Sequence, residues 1–211
     1  MKAVTRRTKT IQGRYDRGAS FYDLGCLLVE RLLCYRWRQE LWRRVRGPLV
    51  LEVGVGTGAN FPYYPPGVEV VAVDFSPRML EEARRKRRRA ASPVHLALMN
   101  AQGLAFPDHV FDSVVATFTF CSVPYPRAGL RELKRVCKEK GQVLLLEHVL
   151  SQEPLLREVM NLLNPLVVRM GGQNINRDTP RNVRASGLRL TGEQDLLGDV
   201  VKLLEAIPPD S

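Results

Sequence analysis

Long apolar runs, paired cysteines and clustered histidines are all missing from this 211-residue sequence, and each absence excludes a class of protein. No run approaches the roughly 18 uninterrupted apolar residues of a membrane-spanning helix. The basic N-terminus, MKAVTRRTKTIQGRYDR, is not followed by an apolar stretch, so we expect no secretory signal peptide. These absences predict a cytoplasmic protein and leave peripheral contact with the inner face of the membrane open.

The four cysteines form no C-x-x-C pair, and the three histidines are scattered along the chain. Disulfide frameworks and metal sites normally show as short, repeated spacings of these residues. We therefore expect neither a disulfide framework nor a metal site. Cys26 and Cys34 stand eight residues apart on an apolar helical stretch, and we interpret them as buried thiols.

Positive charge is abundant and unevenly distributed. The chain has 32 Lys and Arg against 22 Asp and Glu, a net charge of +10. Residues 1–48 carry a net +8 and residues 78–89 a net +5, which leaves −3 for the rest of the chain. Such concentration favours a face that meets an anionic partner, although ordinary solvated helix surface explains it equally well.

Strand-length apolar segments alternate with amphipathic helical segments along the chain, whose length favours a single domain. The predicted strands are 49–53, 68–74, 94–99, 111–120, 142–148, 188–195 and 200–206. The predicted helices are 20–46, 77–91, 128–138 ended by Gly141, 153–170 kinked or split at Asn164-Pro165, and a short one that Thr179-Pro180 caps and Gly187 ends. This order predicts an α/β fold, a Rossmann-like open sheet of seven strands, mostly parallel with a C-terminal antiparallel hairpin, with helices on both faces.

A glycine-rich turn follows the first predicted strand, in the segment EVGVGTGA at 52–59. Glycine lets backbone approach a ligand, and ligands of open parallel sheets lie beyond the carboxyl ends of the strands. Gly54, Gly56 and Ala59 also fit the dinucleotide pattern G-x-G-x-x-[G/A], with Asp74 at a suitable distance for a ribose. Glu52, however, would face a cationic group better than a pyrophosphate. The turn predicts a nucleotide-like ligand and leaves a nicotinamide dinucleotide open.

Five segments in order resemble class I S-adenosylmethionine-dependent methyltransferases, in particular the subfamily of ubiquinone/menaquinone C-methyltransferases and bacterial phosphatidylethanolamine N-methyltransferases. They are EVGVGTG at 52–58, VDFSPRML at 73–80, NAQGLAFPD at 100–108, FDSV at 111–114 and RVCKEKGQVLLLE at 135–147. Asn100 replaces the commoner Asp, and Glu139-Lys140 replaces the usual Pro-Gly. The resemblance implies a basic helical lid at 1–48 and a donor-binding methyltransferase domain at 49–211, within one structural domain.

The resemblance also implies which residues bind the donor, S-adenosyl-L-methionine. Asp74 would accept both ribose hydroxyls, and Glu52 would orient the turn and the donor's ammonium. Phe75 and Met79 would pack against adenine or belong to the core. The full predicted set is Glu52, Gly54, Gly56, Gly58, Asp74, Phe75, Met79, Asn100, Ala101, Thr117 and Phe118.

On the acceptor side, Tyr15, Tyr22 and His148 are the candidate catalytic residues. Tyr15 and Tyr22 lie in a segment resembling one that closes over cofactor and acceptor in this subfamily. His148, after the fifth strand, would take a proton near neutral pH or serve as a structural histidine. Arg177, in the polar stretch 174–179, would meet an anionic acceptor group or belong to a turn.

The basic first 48 residues and the apolar stretch 154–168 favour a lipid acceptor beside an anionic membrane surface, with phosphatidylethanolamine N-methylation as the most specific prediction. A quinone precursor, a thiol or another small amine stays open as the acceptor. A nucleic-acid methyltransferase would use the same positive charge, but the chain has no Asn-Pro-Pro-Tyr tetrad and no added RNA-binding module. A non-catalytic cofactor-binding protein is the remaining class.

Overall fold

The computed structural model describes residues 8–16, 34–171 and 173–209. Tyr22, Cys26 and much of the predicted helix 20–46 lie outside these residues. Among the helices it describes, none combines the length and apolarity that crossing a membrane requires.

Seven strands form one sheet in the order β3-β2-β1-β4-β5-β7-β6. Strands β1 to β5 run parallel, while β7 is antiparallel to both β5 and β6. The predicted α/β class with a terminal hairpin is confirmed. Because the strand order reverses at β1, the crevice beyond the carboxyl ends of β1 and β4 is the expected ligand position. The strands are β1 (Leu49–Val53), β2 (Glu69–Asp74), β3 (Val94–Leu98), β4 (Phe111–Thr117), β5 (Cys137–His148), β6 (Arg189–Leu197) and β7 (Val201–Ile207).

Helices cover both faces of the sheet. One apolar cluster joins the sheet to α4 and α6 through residues such as Leu133 and Val183, and another joins it to α2 and α3 through Trp42 and Leu80. Trp42 is 1% exposed, so α2 belongs to the core of the sheet, whereas α1 lies over the cleft described below. The helices are α1 (residues 8–16), α2 (Tyr35–Arg43), α3 (Pro77–Lys86), α4 (Pro126–Val136), α5 (Pro154–Gly171) and α6 (Thr179–Ala185).

Three of the differences between observed and predicted element boundaries have a direct physical cause. β5 begins at Cys137, directly after α4, because Cys137 pairs with Phe111 of β4, so Gly141 lies inside a strand and ends no helix. β4 stops at Thr117, because Phe118 adopts a left-handed φ of 51° that a strand cannot continue. The cap of α6 is Asp178, whose side chain accepts from the Arg181 N–H, one residue before the predicted Thr179.

The basic run 84–89 of the second segment lies away from the cleft. The helix α3 starts after the carboxyl end of β2 and runs back towards the amino end of β3, which begins at Val94. Its basic end continues as a 3₁₀ turn over Arg87–Arg89, so the predicted helix 77–91 is shorter than expected. The run 84–89 therefore lies at the amino edge of the sheet, away from the crevice that α1 covers.

Candidate active site

A cleft opens where the carboxyl ends of β1, β2 and β4 meet. Its empty volume is about 890 Å³, a figure that includes the open mouth. The lining comes from the glycine turn, the ends of β2 and β4, the loop after β3, and α1 and α2. Predicted residues in this lining are Tyr15, Gly54, Gly56, Asp74, Phe75, Met79, Asn100, Ala101, Thr117 and Phe118.

The glycine turn presents backbone to the cleft. Gly54 and Val55 both donate their N–H to the Val73 carbonyl, which ties the turn to β2 at 2.8 and 3.1 Å. A Cβ on Gly54 would lie 2.3 Å from Thr119 Oγ1, so only glycine fits there. A Cβ on Gly56 would meet nothing within 4 Å, because this residue borders the open cleft. The turn therefore offers close backbone approach to a ligand.

Asp74 ends β2 with its carboxylate at the cleft wall. Its two oxygens accept from the N–H groups of Gly56 and Ser76, each at 2.9 Å. The side chain is 6% exposed, and this burial raises the pKa of Asp74 to about 6. Ser76 in turn donates to the Asp16 carboxylate of α1 at 2.5 Å. A largely desolvated carboxylate at a strand end is suited to accept hydrogen bonds from vicinal hydroxyls.

Glu52 lies behind the cleft wall and is not part of the lining. Its buried carboxylate accepts from the Tyr64 hydroxyl and, at 2.5 Å, from Asn60 Nδ2. Burial raises the pKa of Glu52, while these two donors and the nearby Arg38 oppose the rise. In this position Glu52 holds the segment after the glycine turn and makes no direct approach to a ligand.

Arg38 is a cleft residue that the sequence analysis missed. Its guanidinium donates to Asn60 Oδ1 at 2.8 Å and to Thr117 Oγ1 at 2.9 Å. It also lies 5.4 Å from the centre of the Phe118 ring, within cation–π range. The signal in the sequence was an arginine at helical spacing between Cys34 and Trp42, where the apolar stripe predicts a hydrophobic residue.

The residues predicted to face adenine line the cleft, and one of them has an unexpected hydrogen bond. Phe75, Met79 and Ala101 all line the cleft, and Met79 is 2% exposed. Asn100 lines it too, but its side-chain oxygen accepts from the backbone N–H and the side-chain amide of Gln102, at 3.0 and 3.1 Å. In this structure the Asn100 oxygen therefore shapes the turn after β3.

Helix α1 forms the roof of the cleft. The Tyr15 hydroxyl lies 2.5 Å from Ser122 Oγ, and its ring packs edge-on against Phe75 with centroids 5.8 Å apart. Gln12 donates to the Phe75 carbonyl at 2.7 Å. Burial raises the pKa of Tyr15 above its ordinary value of 10, so the phenol stays protonated at neutral pH. Tyr15 thus closes the cleft with a neutral hydroxyl. Its hydrogen-bond partner, Ser122, was not indicated by any sequence motif.

The other acceptor-side candidates border the cleft without lining it. The His148 imidazole packs on the Phe118 ring with centroids 4.8 Å apart, and desolvation lowers the pKa of His148. Arg177 donates to the Val123 carbonyl at 3.1 Å and lines a second cavity. Tyr22, the third catalytic candidate, lies outside the described residues.

The second cavity adjoins the cleft, because Pro124 lines both. Its empty volume is about 530 Å³, and two arginines from separate elements, Arg14 of α1 and Arg177, lie in its wall. Arg14 also donates to the Val168 carbonyl of α5 at 2.6 Å. The site therefore consists of a cleft with a carboxylate at one end and a cationic cavity beside it.

Comparison with known proteins points to one enzyme class. Residues 51–145 match the family model described as a methyltransferase domain. A phosphatidylethanolamine N-methyltransferase of Cereibacter sphaeroides is 46% identical over 105 residues, which are 49% of this chain and 52% of that protein. The chain thus spans about half the length of this relative.

Two longer matches extend the likeness over nearly the whole chain. A demethylmenaquinone methyltransferase of Clavibacter sepedonicus is 28% identical over 98% of this chain and 93% of its own length. The crystal structure of a SAM-dependent methyltransferase from Thermotoga maritima has a TM-score of 0.71 at 19% identity and covers 94% of this chain and 100% of its own. At that identity the structural likeness concerns the fold alone.

Proposed function

The chain belongs to the class I S-adenosylmethionine-dependent methyltransferases, and we propose that it transfers the donor's methyl group to the amine of a phospholipid headgroup, as in phosphatidylethanolamine. A membrane-bound acceptor also means that the protein works at a membrane surface. The proposal concerns the acceptor, since the family itself implies the donor.

The described residues fit that donor. Space is open beside Gly56, where backbone can approach the amino-acid part, and the Asp74 carboxylate is available at the strand end for ribose hydroxyls. Phe75 and Met79 supply apolar surface for the adenine. The donor, when bound, supplies an electrophilic methyl group on a sulfonium. The chain's own task is to align an acceptor with that methyl and to keep water away.

The observation that carries the acceptor proposal is the cationic cavity next to the cleft. Arg14 and Arg177 both line a cavity that shares Pro124 with the donor cleft, and each also donates to a backbone carbonyl. Arginine binds phosphate well because its planar donors match phosphate oxygens. A headgroup that joins an amine to a phosphate diester would place the phosphate in this cavity and the amine towards the cleft.

His148 is our candidate for the base that accepts the proton lost by the amine. Its lowered pKa keeps the imidazole neutral at pH 7, and its ring lies against Phe118, which lines the cleft. A neutral imidazole in that position can accept a proton from the acceptor directly or through one water. Tyr15, held protonated, would orient the acceptor as a hydrogen-bond donor or acceptor.

C-methylation of a quinone precursor is the second candidate, favoured by the likeness to the demethylmenaquinone methyltransferase over nearly the whole chain. The two candidates differ in the acceptor's charge. A quinone precursor carries no headgroup phosphate, so Arg14 and Arg177 would then serve only their bonds within the protein, such as those to the Val168 and Val123 carbonyls.

The deciding experiment is transfer of a labelled methyl group in the presence of three acceptors. These are vesicles containing phosphatidylethanolamine, a demethylated quinone in detergent, and a small thiol. We expect labelled mono-methylated lipid in the first reaction, and Arg177→Gln should raise the lipid KM about tenfold with donor affinity unchanged. Turnover of the quinone or the thiol with no labelled lipid would overturn the proposal.

A further inference from the structure

Helix α5 carries an exposed apolar face. Six of the ten exposed large hydrophobic side chains among the described residues lie on this helix. Leu155 is 77% exposed and Leu162 is 80% exposed, values unusual for leucine in a folded domain. Because the six residues recur at helical spacing, they form one contiguous strip, which we name the α5 apolar face: Leu155, Leu156, Val159, Leu162, Leu163 and Leu166.

Several polar side chains of α5 bond to neighbouring segments of the protein. Asn164 Oδ1 accepts from the Ile175 N–H at 2.9 Å, and Asn161 Oδ1 accepts from Asn176 at 3.0 Å. Arg157 donates to the Ser151 carbonyl at 3.0 Å. A normal surface helix buries its apolar stripe, whereas among the described residues of α5 only Met160, at 8% exposed, is buried. The hydrogen bonds therefore hold α5 in an orientation that presents leucines outwards.

The α5 apolar face lies near the edge of the sheet at which the cleft and the second cavity open. α5 follows the carboxyl end of β5, and its C-terminal part borders the cavity through Val168. Arg14 and Arg177 line the same cavity, and Arg169 is exposed on the last turn of α5. Cations next to an exposed apolar strip complement an anionic lipid surface, where acyl chains meet negatively charged headgroups.

We propose that α5 is the membrane-docking element of this protein, lying in the interface of an anionic bilayer with its apolar face among the acyl chains and the arginine cavity facing the headgroups. This arrangement would let a lipid headgroup reach the cavity and the cleft without leaving the bilayer. The biological role of this docking rests on the proposed lipid acceptor. The docking itself can be measured as vesicle binding, without any turnover.

Vesicle flotation of the full chain tests the proposal, with vesicles of phosphatidylethanolamine and phosphatidylglycerol compared with neutral phosphatidylcholine. We expect at least tenfold stronger binding to the anionic vesicles. Replacing three leucines of the face, L155S/L162S/L166S, should reduce binding at least tenfold and leave the melting temperature within a few degrees, since these side chains are exposed. The matched control is Leu98→Ser, at an exposed leucine of the edge strand β3, which should bind as the wild type does.

A depth measurement adds a direct readout. Leu162→Trp should be quenched by brominated lipids, while Leu98→Trp should not. Equal flotation of the triple variant and the wild type would overturn the proposal. A large loss of melting temperature in the triple variant, or a change of its oligomeric state, would do the same, because the face would then be covered by protein.

The two proposals can fail separately. Vesicle binding through the α5 apolar face without methylation of any lipid would overturn the lipid acceptor and keep the docking element. Methylation of vesicle lipid at equal rates by the wild type and the triple variant would keep the acceptor and overturn the docking element.

Discussion

Tyr15 and Ser122 face each other across the mouth of the cleft, with their hydroxyl oxygens 2.5 Å apart. Tyr15 belongs to α1 and Ser122 to the loop after β4, so this bond joins the roof of the cleft to its floor across 107 residues of sequence. A ligand in the cleft would be enclosed beneath it.

Removing either hydroxyl should therefore loosen the roof. We expect Tyr15→Phe and Ser122→Ala each to raise the dissociation constant of S-adenosylhomocysteine about fivefold, the equivalent of one net hydrogen bond of about 1 kcal/mol. The double variant should be no weaker than either single variant, because both remove the same bond. Isothermal titration of the four proteins measures this, and additive losses would show that the pair does not act as a unit.

Donor affinity should depend on pH through Asp74. Burial raises the pKa of Asp74 from 3.8 to about 6, and ribose hydroxyls require the ionised form as acceptor. Affinity should be constant above about pH 6 and fall about tenfold per pH unit below it. Titrations from pH 5 to pH 8 check this, and a flat profile would contradict the role of Asp74.

Asp74→Asn should separate stability from binding. A carboxyl whose pKa is higher in the folded than in the unfolded state binds more protons when the protein is folded. Its ionisation therefore lowers the free energy of unfolding of the ligand-free protein as the pH rises through about 6. We expect Asp74→Asn to increase the free energy of unfolding at pH 7 by about 1 kcal/mol, after loss of part of its hydrogen bonding, and to weaken donor binding about 10²-fold. Urea denaturation at pH 7 and pH 4.5 should show the gain at the higher pH only.

The two glycines of the turn should respond differently to alanine. Gly56→Ala places a Cβ in the open cleft, so its free energy of unfolding should fall only by the cost of a positive φ, about 1 kcal/mol. Because the Cβ occupies space where the donor would approach, donor affinity should fall about 10²-fold. Gly54→Ala would drive Cβ to 2.3 Å from Thr119 Oγ1 and should cost about 3 kcal/mol or more.

Gly198→Ala is the matched control for this pair. Gly198 also has a positive φ, and a Cβ added there would meet nothing within 4 Å, but it lies in the β6–β7 turn, away from the cleft. It should lose about 1 kcal/mol and bind the donor normally. Normal donor binding by Gly56→Ala would show that the ligand does not approach this turn.

His148→Asn should lower kcat at pH 7 about 10²-fold if the imidazole accepts the amine proton. Donor affinity should not change, because His148 lies beyond the cleft lining. At saturating donor, the wild-type kcat should fall once the pH drops below the lowered pKa of His148, where the imidazole becomes protonated, and the variant should lack this acid limb of kcat. A variant with the wild-type rate and the same acid limb would assign His148 to packing against Phe118.

Local patterns in the sequence were sufficient for the strands, the glycine turn and Asp74. β1 was predicted at its observed residues, and the other parallel strands overlap their predictions, because a buried strand is an apolar run that its own residues define. The errors occurred where a distant partner decides the conformation. Cys137 is in a strand because Phe111 pairs with it, and Phe118 leaves the strand because its ring lies between Arg38 and His148.

The sequence by itself determined the fold class, the glycine turn and the carboxylate that ends β2, since each depends on residues that are close along the chain. Only the tertiary structure decided what surrounds them. It turned Glu52 away from the cleft, brought Arg38 and Ser122 to it, placed the basic run 84–89 outside its lining, and set the leucines of α5 outwards. Composition states how much charge and apolar surface a chain carries, but packing between distant residues decides which of it faces a ligand.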